Sequence, residues 1–444
     1  MKTSTALQLL LAVSGASAAS IPKRDGAVKA VRRDPFAVTD NVLRLRKTTS
    51  PGQISKRATS SSEKGQAVLS ANPSYPVVDV EFDGETIPML VDTGSSDIWI
   101  VKKGFKCVSK KDQPVDAENC NIPQTVTQKP SGGYVKNANL SITYGDQSFV
   151  SGPMAFQDVT VAGLTVKKQQ VGVADVVSVG AGGGDSSYSG LMGVSYPALT
   201  SEVDTETGES VQYTSIMANM QKQNVASSFS MALDRGLDRG GFMAFGGVPP
   251  VDILGDYVTT PILKPTVKSD DGSTSQGDFN GYYVNARMVL RHSSDGSIPT
   301  VYNVTNEFKY SDKFKTLIDS GTSLTTVHKN LASHIMTAFN PPAQLNVNPD
   351  DDDSYYVLCT AQAPFLGVWF GNDASTGVVW FDSQDLILQD SWANVNGKKY
   401  CLTGVQAASD DDDPIMGDTF MHNALVVFNV GDSNLSFAQR PMYN

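Results

Sequence analysis

The sequence of 444 residues has little of what builds a metal module: four cysteines and four histidines, scattered along the chain. His292, His328, His334 and His422 have no ligand spacing, so neither a zinc module nor any other metal site or cofactor is expected. Positive charge is also short. Lysine plus arginine total 35 against 46 aspartate plus glutamate, a net charge of −11. Such a chain repels phosphate backbones, and nucleic-acid binding is not expected. Long hydrophobic runs are missing. Residues 6–13 are apolar except for Gln8, but they fall well short of the ~20 residues a bilayer requires. No later segment is long and apolar enough, and residues 434–444 are polar, so no stable membrane anchor is expected. What is present suits a folded protein. Apolar residues make up 40% and charged residues 18%, which excludes a disordered chain, and the length fits two lobes of ordinary domain size.

The first residues read as an address. Lys2, the short apolar run and the small residues 14–19 form a secretory signal peptide, residues 1–19, cut near Ala18 or Ala19. A secreted, extracellular protein is therefore expected. Residues 20–57 differ in composition, with ten basic and three acidic residues, net +7. From Ala58 onward there are 24 basic and 43 acidic residues, net −19. A basic leader on an acidic body predicts an inhibitory pro-segment held by charge and released when acid neutralises carboxylates. Of the dibasic pairs Lys23-Arg24, Arg32-Arg33 and Lys56-Arg57, the last is favoured for processing. A Ser/Thr-rich linker follows it, and the first strand-like run begins only near Gln66.

The body reads as mostly β. Residues 75–82 alternate, Asp83-Gly84 makes a turn, and 86–91 resume. Further strand-like runs are 140–144, 156–161, 229–233, 242–245, 282–289, 377–381 and 425–429. Helical stretches are few, at 214–223 and 331–339. Residues 202–212 read as a polar loop.

An internal repeat organises this pattern. Met89-Leu90-Val91-Asp92-Thr93-Gly94-Ser95-Ser96 matches Thr316-Leu317-Ile318-Asp319-Ser320-Gly321-Thr322-Ser323. Each is an apolar strand ending in aspartate, a hydroxyl residue, glycine, a hydroxyl residue and serine. An apolar pair and glycine follow each: Gly193 stands 101 residues after Asp92, and Gly417 stands 98 after Asp319. One Asp-Thr-Gly alone is an ordinary turn composition; two copies in register with a second matched element are not. Two lobes, residues 58–254 and 255–444, would each supply one aspartate.

The chemistry such a pair permits follows from its surroundings. Each aspartate ends a buried strand in low dielectric. Gly94 and Gly321 allow a tight turn and close backbone approach. Ser95 and Thr322 can donate to the outer carboxylate oxygens, while Thr93 and Ser320 can tie each turn to the opposite lobe. Carboxyls meeting on a pseudo-two-fold axis cannot both ionise, so they share one proton and titrate as a pair.

These motifs resemble the pepsin-like aspartic proteases, especially secreted fungal ones, over about residues 66–439. The resemblance rests on Val91-Asp92-Thr93-Gly94-Ser95-Ser96-Asp97-Ile98-Trp99, Tyr144-Gly145-Asp146, Gly190-Leu191-Met192-Gly193, Ile318-Asp319-Ser320-Gly321-Thr322-Ser323 and Ile415-Met416-Gly417-Asp418-Thr419-Phe420. It implies a bilobal pepsin-like fold with a substrate cleft between the lobes. It also implies a monomer that acts on polypeptide substrates at acidic pH, with Asp92 and Asp319 as the catalytic pair. Shared-proton behaviour is already established for that family's dyad. Tyr144, Gly145 and Asp146 would lie on a flap over the cleft, Trp99 would bond the flap tyrosine, and Gly94, Gly321 and Thr322 would line the cleft. Three features depart from the pattern: Ser189 before Gly190, Gln147 after the flap aspartate, and the polar stretch 202–212.

Four cysteines allow three pairings. Cys107–Cys120 with Cys359–Cys401 keeps each bond inside one repeat, and the resemblance favours it too. Glycan acceptor sequons stand at Asn139, Asn303 and Asn434. Two other functions fit the sequence less well. A catalytically dead binding protein on the same fold would be expected to have lost an aspartate or glycine of the pair, and none is lost. A carboxylate-pair glycosidase leaves the duplicated turns unexplained.

Overall fold

The computed structural model describes residues 35–47, 75–144, 147–181, 188–234, 240–268, 274–291, 309–345, 347, 353–371 and 377–443. The expected signal peptide, most of the expected pro-segment, Gly145, Asp146, His292 and Asn303 lie outside them.

Alternation builds the first hairpin. Strand Pro76–Phe82 buries Val78, Val80 and Phe82 on one face and exposes Asp79 and Glu81. Asp83 and Gly84 both take positive φ, 51° and 89°, the primed turn whose twist matches the flanking strands. The chain returns as Glu85–Asp92 in register, Val77 opposite Leu90.

This hairpin belongs to a fifteen-stranded sheet running from Ser210–Val211 at one edge to Leu254–Pro261 at the other. Two strands in from the Leu254–Pro261 end, Ala424–Asn429 of the second half pairs antiparallel with Ser228–Leu233 of the first, so one sheet joins both halves. A second sheet of eight strands carries Tyr283–Arg291, Phe314–Ile318 and Ile415–Met416. The fold is mostly β and bilobal. Its largest core takes Met89, Val91 and Met192 from one half and Ile318, Met416 and Phe428 from the other.

The sequence repeat recurs as a structural one. Glu85–Asp92 pairs in parallel with Gly190–Gly193, and Ile98–Val108 pairs antiparallel with the same short strand. In the second half Phe314–Ile318 pairs in parallel with Ile415–Met416, and Thr325–Val327 pairs antiparallel with it. Each aspartate thus leaves a central strand clasped on both sides.

Some elements differ from the sequence reading. Residues 202–212 form a small hairpin, Glu202–Asp204 with Ser210–Val211, rather than an open loop. Within the expected pro-segment, Val42–Lys47 is a strand of the large sheet, paired with Gly241–Phe245 and with the start of Pro76–Phe82. The two helices are Ile216–Lys222 and Lys329–Met336, with short turns added at Ser383–Leu386 and Asp418–Met421. Leu164–Ser178, fifteen residues long, is a strand outside the strand-like runs of the sequence. Among the described residues no helix is long and apolar enough to cross a membrane.

Candidate active site

Asp92 and Asp319 end the two matched strands and are nearly buried, 9% and 7% exposed. Each carboxylate is held by its own turn. The Gly94 amide donates to Asp92 Oδ1 at 2.8 Å, and the Ser95 hydroxyl donates to Oδ2. The Gly321 amide donates to Asp319 Oδ1 at 2.8 Å, and the Thr322 hydroxyl to Oδ2 at 2.7 Å.

The turns are locked to each other. Thr93 Oγ1 donates to the Ile318 carbonyl, and Ser320 Oγ to the Val91 carbonyl, both at 2.9 Å. In return the Ser320 amide donates to Thr93 Oγ1 at 2.9 Å, and the Thr93 amide to Ser320 Oγ at 3.2 Å. Thr93 and Ser320 are fully buried, so these four bonds work at low dielectric and fix the turns as a unit.

The two carboxyls face each other across Gly94 and Gly321. A methyl added at Gly94 would stand 2.5 Å from Asp319 Oδ1, and one added at Gly321 would stand 2.5 Å from Asp92 Oδ1. Glycine is required here by the approach of the opposite aspartate. Burial first, and the neighbouring Asp92 charge second, push Asp319 up to about 7. The hydroxyl of Thr322 and the amide of Gly321 oppose that rise.

Tyr144 follows the strand Tyr134–Thr143, and its hydroxyl accepts a 2.9 Å bond from Trp99 Nε1. The Tyr144 amide donates to Ser148 O at 2.7 Å, closing a tight hairpin. Gln147 takes a left-handed backbone, φ 67°. Glycine would adopt that conformation without the roughly 1–2 kcal/mol a side chain costs there.

Three contributors were not legible in the sequence. Tyr282 donates from its hydroxyl to the Val194 carbonyl at 2.5 Å, and its own carbonyl accepts from the Ile318 amide. Since the Val194 amide donates to the Asp92 carbonyl, Tyr282 reaches from one half to the back of the other half's aspartate turn. Asp97 and Tyr213 meet behind the same turn. No local pattern marks Tyr282 or Tyr213, and Asp97, although it stands in the first aspartate motif, shows no role there, because the partners of all three are distant in the chain.

Both disulfides are present, Cys107–Cys120 and Cys359–Cys401. The first closes a short loop after the strand that carries Trp99. Replacing Cys107 and Cys120 by serine is expected to lower unfolding free energy by about 3 kcal/mol, measured in denaturant. Asn139 is half-buried within a strand paired on both sides, and Asn434 opens the strand Asn434–Gln439. Among the described residues, no group of three or more His, Cys, Asp or Glu is placed to hold a metal ion.

Comparison with known proteins supplies a context for this geometry. The family described as eukaryotic aspartyl protease matches residues 77–440. A probable aspartic-type endopeptidase of Aspergillus fumigatus is 33% identical over 368 residues, covering 81% of this chain and 77% of its own. Secreted aspartic protease 7 of Candida albicans is 26% identical over 80% of this chain, which spans 58% of that protein's length. Among solved structures, the aspartic proteinase from Irpex lacteus has a similar fold, with a TM-score of 0.57 at 18% identity. The match covers 83% of this chain and 95% of that one.

Proposed function

Because this chain belongs to the eukaryotic aspartyl protease family and is an aspartic-type endopeptidase, we propose that Asp92 and Asp319 are its catalytic dyad. The protein would be secreted as a zymogen and would cut polypeptides at acidic pH. The observation that carries this reading is the mutual approach of two aspartate turns, each threaded to the other by a buried hydroxyl.

The pair holds one proton and one water between its carboxyls. The ionised member takes a proton from that water as it attacks the peptide carbonyl. The protonated member donates to the developing oxyanion, and the proton then reaches the leaving nitrogen. Tyr144 covers the substrate chain and excludes bulk water; the resemblance gives Gly145 and Asp146, which lie outside the described residues, a part in the same flap. Gly94, Gly321 and Thr322 line the cleft floor. Neither a covalent intermediate nor a cofactor enters this sequence of steps.

The pH dependence follows in sign from Asp319. Its carboxyl is raised to about 7 from an ordinary 3.8. The folded state therefore holds a proton that the unfolded state has lost across that window, and stability falls as pH rises from about 4 to 7. The slope contributed is at most about 1.4 kcal/mol per pH unit. Activity is expected to fall about tenfold per unit above pH 7, as the shared proton leaves. Thermal unfolding and kcat/KM measured from pH 3 to 9 check both limbs; rising activity through pH 8 contradicts the dyad.

The pro-segment reading gains a physical basis in the strand Val42–Lys47. Its Leu45 is 1% exposed and belongs to the main core, and Val42 to Leu45 are in register with Ala244 to Gly241. Arg46 pairs with Asp79, but both side chains are about half exposed, so this pair contributes at most about 1 kcal/mol. Retention by charge alone is thus incomplete; backbone pairing and Leu45 hold the described part. Leu45→Ala is expected to speed acid activation more than Arg46→Ala, whose effect stays below about fivefold.

The deciding assay is cleavage of a denatured protein at about pH 3 to 5 by material cut after Arg57, with and without a statine-type inhibitor. No cleavage, or cleavage untouched by the inhibitor, ends this reading; full activity with residues 20–57 attached ends the zymogen part of it.

A further inference from the structure

The polar stretch 202–212, one of the three departures from the family pattern, is built with its flanking residues Ser201 and Tyr213 into the lobe that carries Asp92. Its first strand, Glu202–Asp204, pairs with the outer side of Tyr134–Thr143, the strand that leads to Tyr144: Leu140 stands opposite Glu202, Asn139 opposite Val203 and Ala138 opposite Asp204. The Ser141 amide adds a bond to the Ser201 carbonyl at 3.3 Å, and the Thr205 amide one to the Asn137 carbonyl at 2.8 Å. Without this hairpin, the strand carrying Tyr144 would be a sheet edge.

Both ends of the hairpin then close on a single oxygen. The Ser201 amide donates to Asp97 Oδ1 at 2.8 Å, and the Tyr213 hydroxyl donates to the same atom at 3.0 Å. Asp97 is 1% exposed and stands five residues after Asp92, on the same turn. Its carbonyl accepts from the Gly193 amide at 2.8 Å, which ties it to the strand clasping Asp92. Glu202 is buried beside this junction and accepts from Gln170 Nε2.

We propose that Asp97 is a positioning residue for the dyad and flap together: its carboxylate clamps the 201–213 hairpin to the Asp92 turn, and the hairpin sets where Tyr144 stands. Pairing on the outer side stops at Ser141. Beyond it, among the described residues, Ile142 and Thr143 pair on one side alone, with Val150 and Phe149. The brace therefore leaves the last two strand residues free to bend and places the hinge of the flap at Ser141–Ile142. A charged acceptor suits the task, because one carboxylate oxygen accepting two donors holds both more tightly than a neutral group would.

This inference rests on the reading of Asp92 and Asp319 as the catalytic pair, and the experiment separates the two. Steady-state kinetics on a long peptide are compared for the wild type, Asp97→Ala, Asp97→Asn and Val203→Pro. Asp97→Ala removes the acceptor of both bonds, and KM is expected to rise roughly tenfold with a smaller change in kcat. Asp97→Asn retains an acceptor oxygen and is expected to stay within about threefold of wild type. Val203→Pro leaves the clamp but removes an amide from the register opposite Asn139. It is expected to raise KM similarly while the molar amount of tightly bound statine-type inhibitor stays at one per chain. Faster hydrogen exchange at Leu140 to Thr143 in Asp97→Ala and Val203→Pro accompanies the KM change. If Asp97→Ala does not fold, Val203→Pro decides alone. Unchanged KM and exchange in folded variants overturn the inference, as does a loss in Asp97→Asn equal to that in Asp97→Ala. Failure of the wild type to cleave at all would overturn the dyad reading instead.

Discussion

Asp92→Asn and Asp319→Asn each lower kcat on a denatured protein by about a thousandfold or more, while the protein stays folded. An amide keeps the shape of the carboxylate and its oxygen still accepts the Gly94 or Gly321 amide, so the turn persists. What the amide cannot do is ionise or hold the shared proton. In the proposed mechanism the pair then has no general base on one side or no acid on the other, and the attacking water is no longer activated. Because Asp92 contributes to the raised pKa of Asp319, Asp92→Asn also moves the Asp319 titration down, although burial, the larger cause, remains. Circular dichroism and kcat measured together decide the matter. A folded variant with near-normal kcat would remove the dyad from the mechanism.

Gly94→Ala and Gly321→Ala each lower kcat/KM by about a hundredfold or more. Neither glycine has a positive φ, so alanine is allowed by its own backbone. The obstacle is the opposing aspartate, 2.5 Å from the new methyl in both cases. The carboxyl or its turn must retreat by a good fraction of an ångström. The turn is pinned by the Thr93 and Ser320 bonds, so the displacement separates the carboxyls. A stability loss of about 1–3 kcal/mol accompanies it, as for other overpacked sites. Unchanged kcat/KM in either variant would mean that the carboxyls do not approach each other as described.

How much of this was readable beforehand depends on the range of the interactions involved. Asp83-Gly84 is legible because its φ values are set by those two residues. The aspartate turns are legible for a similar reason: glycine two residues on and a hydroxyl three on act on the aspartate itself. The strand Val42–Lys47 is not legible, since half its residues are basic or polar and its place depends on Gly241–Phe245, two hundred residues away. The hairpin at 202–211 is polar and acidic and reads as a loop; pairing with Ala138–Leu140 makes it a strand. Leu164–Ser178 mixes lysines and glutamines into its length and is held by partners on both sides.

The duplicated motif carries its own local chemistry, and that alone assigns two aspartates to equivalent turns. That the turns face each other, that Thr93 and Ser320 exchange backbone partners, and that Asp97 gathers both ends of a hairpin emerge only in the folded chain. Those outcomes depend on contacts between residues about a hundred or more positions apart, and such contacts are selected by packing of the whole chain rather than by any segment's own preference.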